Sequence, residues 1–393
     1  MRLGVYTDYA YRRDGDGVYA ERAFALFLNE LAARTGGLTV LGRVDPRPGH
    51  GPYRLDERVR FVELPFYEAL TDPRQSGARA VASLRAFWRA LDDLDTVWLL
   101  GPHPIALGFA LAARLRGRRV VLGVRQSMRD YMRSRHPHRR WLWAAGAVME
   151  AAWRGLGRGL AVVVVGPDLE RQYRRSRRLL AVAISLIRAD EVADEAPQKQ
   201  QALRIGSARV GLPDEPEVRI LSVGRLETEK NPLLLADVLA RLVAEGRRVR
   251  LVVCGEGPLR EALEHRLAEL GVADRADVLG YVPFDGGLRD RYRDSDVLLH
   301  VSWTEGLPQV LFEAFAAGLP VVATDVGGIR AAAGDAVELI PPGDAAAAAA
   351  ALGRVLDGDA RRHAMIEAGL ALAREHTIEA ETGRVAAFIG EAA

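Results

Sequence analysis

Three scarcities narrow what this chain of 393 residues can be. It has a single cysteine, Cys254, so no disulfide forms within the chain, and such thiol usage fits a reducing compartment such as the cytoplasm. No apolar run approaches the ~18 residues of a membrane-spanning helix, because Glu150 and Arg154 interrupt the longest candidate. The apolar start, Met1 to Asp8, is too short for a secretory signal, so a cytoplasmic location is expected. Histidine, cysteine and acidic residues nowhere fall at metal-ligand spacing, and no nucleophile-elbow motif is present. No metal is therefore expected, and neither is a serine or cysteine triad.

Lysine is the third scarcity. Of 54 basic residues only Lys199 and Lys230 are lysines, leaving 54 − 2 = 52 arginines. Lys199 lies in a polar Gln-rich stretch and needs no account. Lys230 lies in SVGRLETEKNP, after a strand-like run and before Asn231-Pro232, where a compact ammonium has a chemical use.

The net charge of +2 hides two opposed halves. Residues 1–190 carry 32 basic against 19 acidic side chains, giving +13, and the remainder carries 22 against 33, giving −11. The basic half is expected to face something anionic, either an acidic ligand or a membrane surface. Thirteen arginines from Arg125 to Arg178 are interleaved with Trp141, Trp143, Trp153, Tyr131 and Tyr173. The stretch from Trp141 to Arg158 reads either as an interfacial helix or as a helix covering a sheet. Nothing resembles a base-reading module, so nucleic acid is not expected.

The organisation reads as α/β throughout. Strand-like runs at Arg2–Thr7, Leu38–Arg43, Val59–Val62, Val97–Leu100, Val120–Val124 and Ala161–Val165 alternate with helical patterns, the first from Val18 to Arg34. A second series runs Val218–Val223, Val249–Cys254, Ala276–Leu279, Val297–Val301, Pro320–Ala323 and Ala336–Ile340. Continuous apolar strands alternating with helices argue for two doubly wound, Rossmann-like parallel sheets. The expected domains are residues 1–187, a polar linker over 188–217, a second domain over 218–375, and a final helix within 376–393 that packs back on the first.

The densest chemical signal is SWTEGLPQVLFEAFAAGLPVVATDVGG, Ser302 to Gly328. It reads strand, loop, helix, with Glu305 in the loop, Pro308 at the first helical turn and Glu313 inside the helix. Such a helix start offers free N–H groups and a partial positive charge to a phosphate. Arg225 and Lys230, after another strand of the same series, supply cationic donors for a diphosphate.

Together these segments resemble the retaining glycosyltransferases of the GT-B fold, glycosyltransferase family 4. The resemblance runs in order through SVGRL…EK, CGEGP, GYV, DVLLHVS and EGLPQVLFEA. It implies two Rossmann-like domains facing across a cleft, and a sugar moved without a metal from a UDP- or GDP-sugar to a hydroxyl acceptor that is a glycan, lipid-linked or a small molecule, while the basic half adds the expectation of an anionic or lipid-linked one. By position it implies that Arg225 and Lys230 bind the donor diphosphate and that Glu305 approaches the transferred sugar. Glu313 would hold the ribose, Leu307, Gln309 and Val310 would line the donor pocket, and Tyr281 and Val282 would lie near the base. The segment GDGVYAE resembles the family's glycine loop, with Gly17 letting backbone approach the phosphates. Family members often carry a histidine after the strand matching Val120–Val124. Here Arg125 follows that strand, and His103 after a neighbouring one is the other acceptor-side candidate. Asp14-Gly-Asp16, Asp93-Leu-Asp95 and Asp294-Ser-Asp296 match the Asp-x-Asp of metal-dependent transferases of another fold, but capping or surface charge explains them better. An epimerase or phosphorylase, or a silent nucleotide-sugar-binding partner, would use the same scaffold.

Overall fold

The computed structural model describes residues 1–47, 49, 51–67, 73–136, 138–194 and 217–391. Most of the expected linker, including Lys199, lies outside the described residues. The chain divides into two compact units: residues 1–133, 138–186 and 378–393 form unit 1, and residues 134–137 and 187–377 form unit 2.

Unit 1 is built on β1 (Leu3–Asp14), β2 (Gly17–Ala20), β3 (Leu38–Val44), β4 (Tyr53–Arg54), β5 (Val59–Leu64), β6 (Thr96–Gly101), β7 (Arg119–Val124), β8 (Ala161–Val165) and β9 (Arg178–Val182). Its parallel part runs β5-β3-β1-β6-β7-β8-β9, and the distal half of β1 pairs antiparallel with β2, which pairs with β4. β7 and β8 are buried almost throughout, because helices cover both faces of a parallel sheet. The closing helix, Ile378–Glu391, belongs to this unit, where Arg34 Nε donates to Thr382 Oγ1 at 2.8 Å.

Two expectations fail near the start of the chain. The expected helix from Val18 begins at Phe24 and runs to Thr35, because Gly17–Ala20 pairs with β1 as a strand. The glycine loop is therefore the turn of a hairpin, in which Gly15 takes φ 54°. Three short strands, β2, β4 and β9, have no counterpart among the sequence expectations; the first two are four and two residues long, and so short an apolar pattern carries no period.

The Arg140–Gly157 helix buries Leu142, Gly146, Glu150, Trp153 and Gly157 at helical spacing, so it covers the sheet. Trp141 and Val148 on its other face are exposed.

Unit 2 is more regular. β10 (Val218–Val223), β11 (Val249–Cys254), β12 (Ala276–Gly280), β13 (Val297–His300), β14 (Val321–Thr324) and β15 (Val337–Ile340) pair in parallel in the order β12-β11-β10-β13-β14-β15. This is the dinucleotide-binding order, whose ligand crevice lies at the carboxyl ends of the strands where the order reverses, here between β10 and β13. The core joins β10, β11 and β13 to the Leu233–Ala244 and Ala345–Asp357 helices. The Gln309–Ala316 helix packs on the Asp359–Glu375 helix. Pro308 caps it in extended conformation rather than starting it. The helix expected near Asp285 is interrupted, since Gly286 and Gly287 leave helical angles and a regular turn resumes only at Arg289.

Two of the Asp-x-Asp pairs hold strand starts, one in each unit. Asp95 Oδ2 accepts from the Arg2 amide at 2.8 Å, and Asp296 Oδ2 from the Arg219 amide at 2.9 Å. Both lie at the amino ends of the strands, away from a ligand crevice.

Candidate active site

The site of unit 2 forms where β10 and β13 end. β10 runs into Gly224 and Arg225, then a single turn, Thr228–Lys230, that ends on Asn231 in the left-handed region at φ 52°. Asparagine tolerates that region better than other residues with a side chain. β13 ends at His300, and Ser302 and Glu305 follow in the loop before Pro308. A crevice is lined by Gly224, Arg225, Lys230, His300 and Ser302 among others.

Two glycines permit the loops to approach. A Cβ on Gly255 would stand 1.8 Å from the Gly224 carbonyl oxygen. One on Gly327, itself at φ 56°, would stand 2.1 Å from the carbonyl oxygen of Glu305. The Gly328 amide then donates to the Gly306 carbonyl at 3.0 Å, which ties the glutamate loop to the end of β14.

Glu305 is the hub. Its Oε1 accepts from Lys230 Nζ at 2.5 Å and from Ser302 Oγ at 2.6 Å, and lies 2.9 Å from His300 Nε2. Its side chain is only 9% exposed. Burial alone would raise its pKa, but the Lys230 charge and the bonds from His300 and Lys230 outweigh that and hold it well below the usual carboxylate range. All three contacts are made to Oε1. Lys230 has three N–H donors and spends one on Glu305.

Arg225 is also paired, with Glu227 at 2.6 Å and Glu229 at 3.1 Å. The two expected cations thus share a crevice, and each is balanced by carboxylates rather than held free. Two buried amide nitrogens nearby in sequence, Nδ2 of Asn231 and Nε2 of Gln309, have no hydrogen-bond partner among the described residues. Unmatched buried donors are costly unless something supplies an acceptor.

Glu313 stands apart from this network. It is 8% exposed on the Gln309–Ala316 helix, and its Oε2 accepts from Tyr292 Oη at 2.7 Å. Burial pushes its pKa up to about 7, against a smaller downward pull from the Tyr292 hydrogen bond. Tyr281 is exposed just after β12, with Val282 partly exposed beside it. Leu307 lies in the loop, and Gln309 and Val310 open the helix.

Gly17, His103 and Arg125 belong to unit 1. Gly17 packs against the ring of Tyr19, which a Cβ there would meet at 2.6 Å. Arg125 lies over the rings of Phe24 and Tyr9, at 4.7 and 5.6 Å from their centroids, and burial lowers its pKa to about 10. His103 lies among Tyr6, Asp8 and Tyr67.

Sequence alone did not single out His300, Ser302 or Tyr292. His300 had a readable signal: it is the polar residue that ends an otherwise apolar strand, just ahead of the loop that carries Ser302 and Glu305. Tyr292 had none, because its pairing with Glu313 joins two helices that only the tertiary fold brings together. Among the described residues no group of three or more His, Cys, Asp or Glu side chains is placed to hold a metal. No described helix is long and apolar enough to cross a membrane.

A six-stranded parallel sheet with charged loops at its reversal point, in a chain with a second doubly wound unit, is the architecture of the GT-B fold. The chain belongs to the family Glycosyl transferases group 1, whose profile matches residues 207–371. It is 32% identical to the 2-deoxystreptamine glucosyltransferase of Streptomyces kanamyceticus over 87% of this chain and 90% of that one. It is 31% identical to the GDP-mannose-dependent alpha-(1-6)-phosphatidylinositol monomannoside mannosyltransferase of Mycolicibacterium smegmatis, over 83% of this chain and 81% of that one. Among solved structures, a sucrose-phosphate synthase from Thermosynechococcus elongatus superposes with TM-score 0.74 at 17% identity, covering 100% of this chain and 98% of that one. The Anabaena protein HepE, solved in complex with UDP, superposes with TM-score 0.70 at 14% identity, covering 100% of each chain. Those two likenesses show the fold.

Proposed function

We propose that this glycosyltransferase moves a sugar from a UDP- or GDP-sugar to a hydroxyl acceptor, with retention at the anomeric carbon and without a metal. Unit 2 binds the donor and unit 1 the acceptor. The observation that carries the reading is the Lys230–Glu305–His300–Ser302 network beside Arg225, at the strand-order reversal of a dinucleotide-type sheet.

The donor diphosphate takes over cationic partners that the carboxylates Glu227 and Glu229 also pair with. Its oxygens compete with Glu227 and Glu229 for Arg225 and take the remaining donors of Lys230, while the Gln309–Ala316 helix start adds N–H groups. The unmatched amides of Asn231 and Gln309 gain acceptors in the same step. Glu305, anchored through Oε1, keeps Oε2 for a hydroxyl of the transferred sugar. Glu313 takes the ribose hydroxyls, Tyr281 and Val282 flank the base, and Leu307 and Val310 line the pocket. The bond from the anomeric carbon to the diphosphate oxygen breaks as the acceptor oxygen bonds to that carbon from the same face. The acceptor's hydroxyl proton passes to the departing phosphate oxygen. Charge developing on that phosphate meets donors already in place, and such preorganised donors usually lower the barrier more than any other device of a site.

The relatives act on acceptors as unlike as 2-deoxystreptamine and a phosphatidylinositol monomannoside, by their names, and they leave the acceptor class open. The arginine-rich surface of unit 1, with exposed Trp141, is the face that would meet anionic lipid at the inner side of a membrane. The test is a calorimetric titration with UDP and with GDP on the wild-type protein and on Lys230→Ala, with transfer assayed in EDTA. One nucleotide should bind in the micromolar range, weakening in the variant, and EDTA should not change the rate. Failure of both nucleotides to bind would sink the proposal.

A further inference from the structure

Unit 1 has its own strand-order reversal, between β1 and β6 in the series β5-β3-β1-β6-β7. The general rule that ligands bind outside the carboxyl ends of the strands at such a point applies to this sheet as well. What stands there is a polar cluster that the donor site does not use: Tyr6 and Asp8 from β1, Arg43 from β3, Tyr67 after β5, and His103 after β6.

A register shift presents Asp8. On β1, Tyr6 opposes Leu41 and Ala10 opposes Arg43, so three residues of β1 face one of β3. Bulges of this kind re-aim a side chain and recur beside active sites. The Asp8 carboxylate, 34% exposed, accepts from Tyr67 Oη at 2.5 Å through Oδ1 and lies 3.3 Å from His103 Nε2 through Oδ2.

The cations of the cluster are turned inward. Arg43 is 12% exposed, lies 4.1 Å from the centroid of the Tyr67 ring, and donates to the backbone carbonyls of Asp8 and Tyr67. Its Nε backs the Asp8 carboxylate from within, 3.3 Å from Oδ1. His103 is 13% exposed, and burial holds its pKa below the ordinary histidine value, so it adds no charge at neutral pH. The group of the cluster that reaches solvent is therefore the Asp8 carboxylate, with Tyr67 buried behind it at 3% exposure and His103 mostly buried beside it. A carboxylate in that place accepts hydrogen bonds, and because the Arg43 N–H groups are spent on backbone carbonyls it offers a phosphate no cationic donor. The overall basic charge of unit 1 is a property of its whole surface and does not describe this site.

We propose that Asp8, flanked by Tyr67 and His103, is the group that recognises the acceptor, and that it selects a cyclic polyol presenting hydroxyl or protonated-amine donors over one presenting a phosphate. The proposal rests on the transferase reading and names its acceptor class. The competing group is Arg125, whose guanidinium would hold a phosphate if the acceptor carried one.

Three cyclitols that differ in charge separate these cases: 2-deoxystreptamine, myo-inositol and D-inositol 3-phosphate, titrated into the full-length protein saturated with its nucleotide. The cationic compound should bind most tightly and the phosphate most weakly. Asp8→Asn should weaken the cationic compound about tenfold or more, the scale of one charge-assisted hydrogen bond. Tyr67→Phe, which keeps the charge and the ring, should weaken it about two- to fivefold and guards against a folding defect in the first variant. Neither should move nucleotide affinity beyond about twofold. Tightest binding of the phosphate, a loss confined to Arg125→Met, unchanged affinity in Asp8→Asn, or binding of none of the three overturns the proposal. Nucleotide binding that survives such a result leaves the transferase reading standing.

Discussion

Both units gather polar side chains at the reversal point of a parallel sheet, but they arrange charge in opposite ways. In unit 2 the cations line the crevice and are balanced by neighbouring carboxylates, Lys230 by Glu305 and Arg225 by Glu227 and Glu229. In unit 1 the cation Arg43 is turned inward against backbone carbonyls and Tyr67, and the carboxylate of Asp8 faces outward. A pair of crevice-lining cations with local counter-charges suits a ligand that brings its own negative charge and leaves with more of it. An outward carboxylate suits a ligand that brings hydrogen-bond donors. The shared topology sets where a ligand goes, and the sign of the exposed group sets which.

The comparison is broken most easily at Lys230. Lys230→Ala should lower turnover by roughly 10²–10³, the scale of one oriented charge donor at a developing anion. A loss under about threefold in steady-state kinetics would remove the ammonium from the chemistry. The same variant also leaves Glu305 buried with His300 and Ser302 but no fixed positive charge. Because its folded pKa is depressed, Glu305 contributes stability that is present above its unfolded value of 4.5 and is lost as pH falls through the folded one. The variant should therefore be destabilised most at neutral pH and resemble wild type more closely in acid.

Arg225→Ala should weaken nucleotide binding by about ten- to a hundredfold, since a charge-assisted pair to phosphate contributes roughly 1.5–3 kcal/mol. Calorimetry showing an unchanged Kd would mean that Glu227 and Glu229 keep the guanidinium even when nucleotide is bound.

Glu313→Gln sharpens the contrast through pH. The folded protein holds the Glu313 proton up to about 7, whereas the unfolded chain releases it near 4.5. Stability attributable to this group therefore falls as pH rises from 4.5 to 7 and stays low above that, by at most about 3 kcal/mol. The glutamine variant keeps the Tyr292 hydrogen bond and should be more stable than wild type at pH 8 by about 1–3 kcal/mol, with little difference at pH 4.5. Equal melting temperatures at both pH values would show that the carboxyl ionises freely. Asp294→Ala should change turnover by less than about twofold, since Asp294 lies at the amino end of β13. A metal-dependent loss of activity in that variant would restore the Asp-x-Asp reading.

Much of unit 2 was legible because its signals are local. Apolar runs of four to six residues ended in glycine or charge, and helices followed proline. Glu305, Arg225 and Lys230 could be placed at strand ends from spacing and resemblance alone. Unit 1 was less legible for a physical reason visible in β1. A twelve-residue strand that bulges and then turns back into a hairpin reads, in sequence, as a short strand, a glycine loop and an early helix. Gly17 and Val18 fit either pattern until pairing with Arg13 and Asp14 is known. Asp8, Arg43 and Tyr67 carried no local mark: each is an ordinary polar residue, Asp8 in the middle of β1, Arg43 near the end of β3 and Tyr67 in the segment after β5.

Period, composition and spacing by themselves determined that this chain forms two parallel α/β units and that Ser302 to Gly328 runs from a strand end through the Glu305 loop into a helix. Those properties depend on neighbours within a turn or a strand. Which charges meet was decided by the tertiary fold alone: that Lys230 binds Glu305 across 75 residues, that Tyr292 meets Glu313, and that Asp8 meets His103 across two strands. Charge–charge energy depends on distance and burial, and strand order sets both.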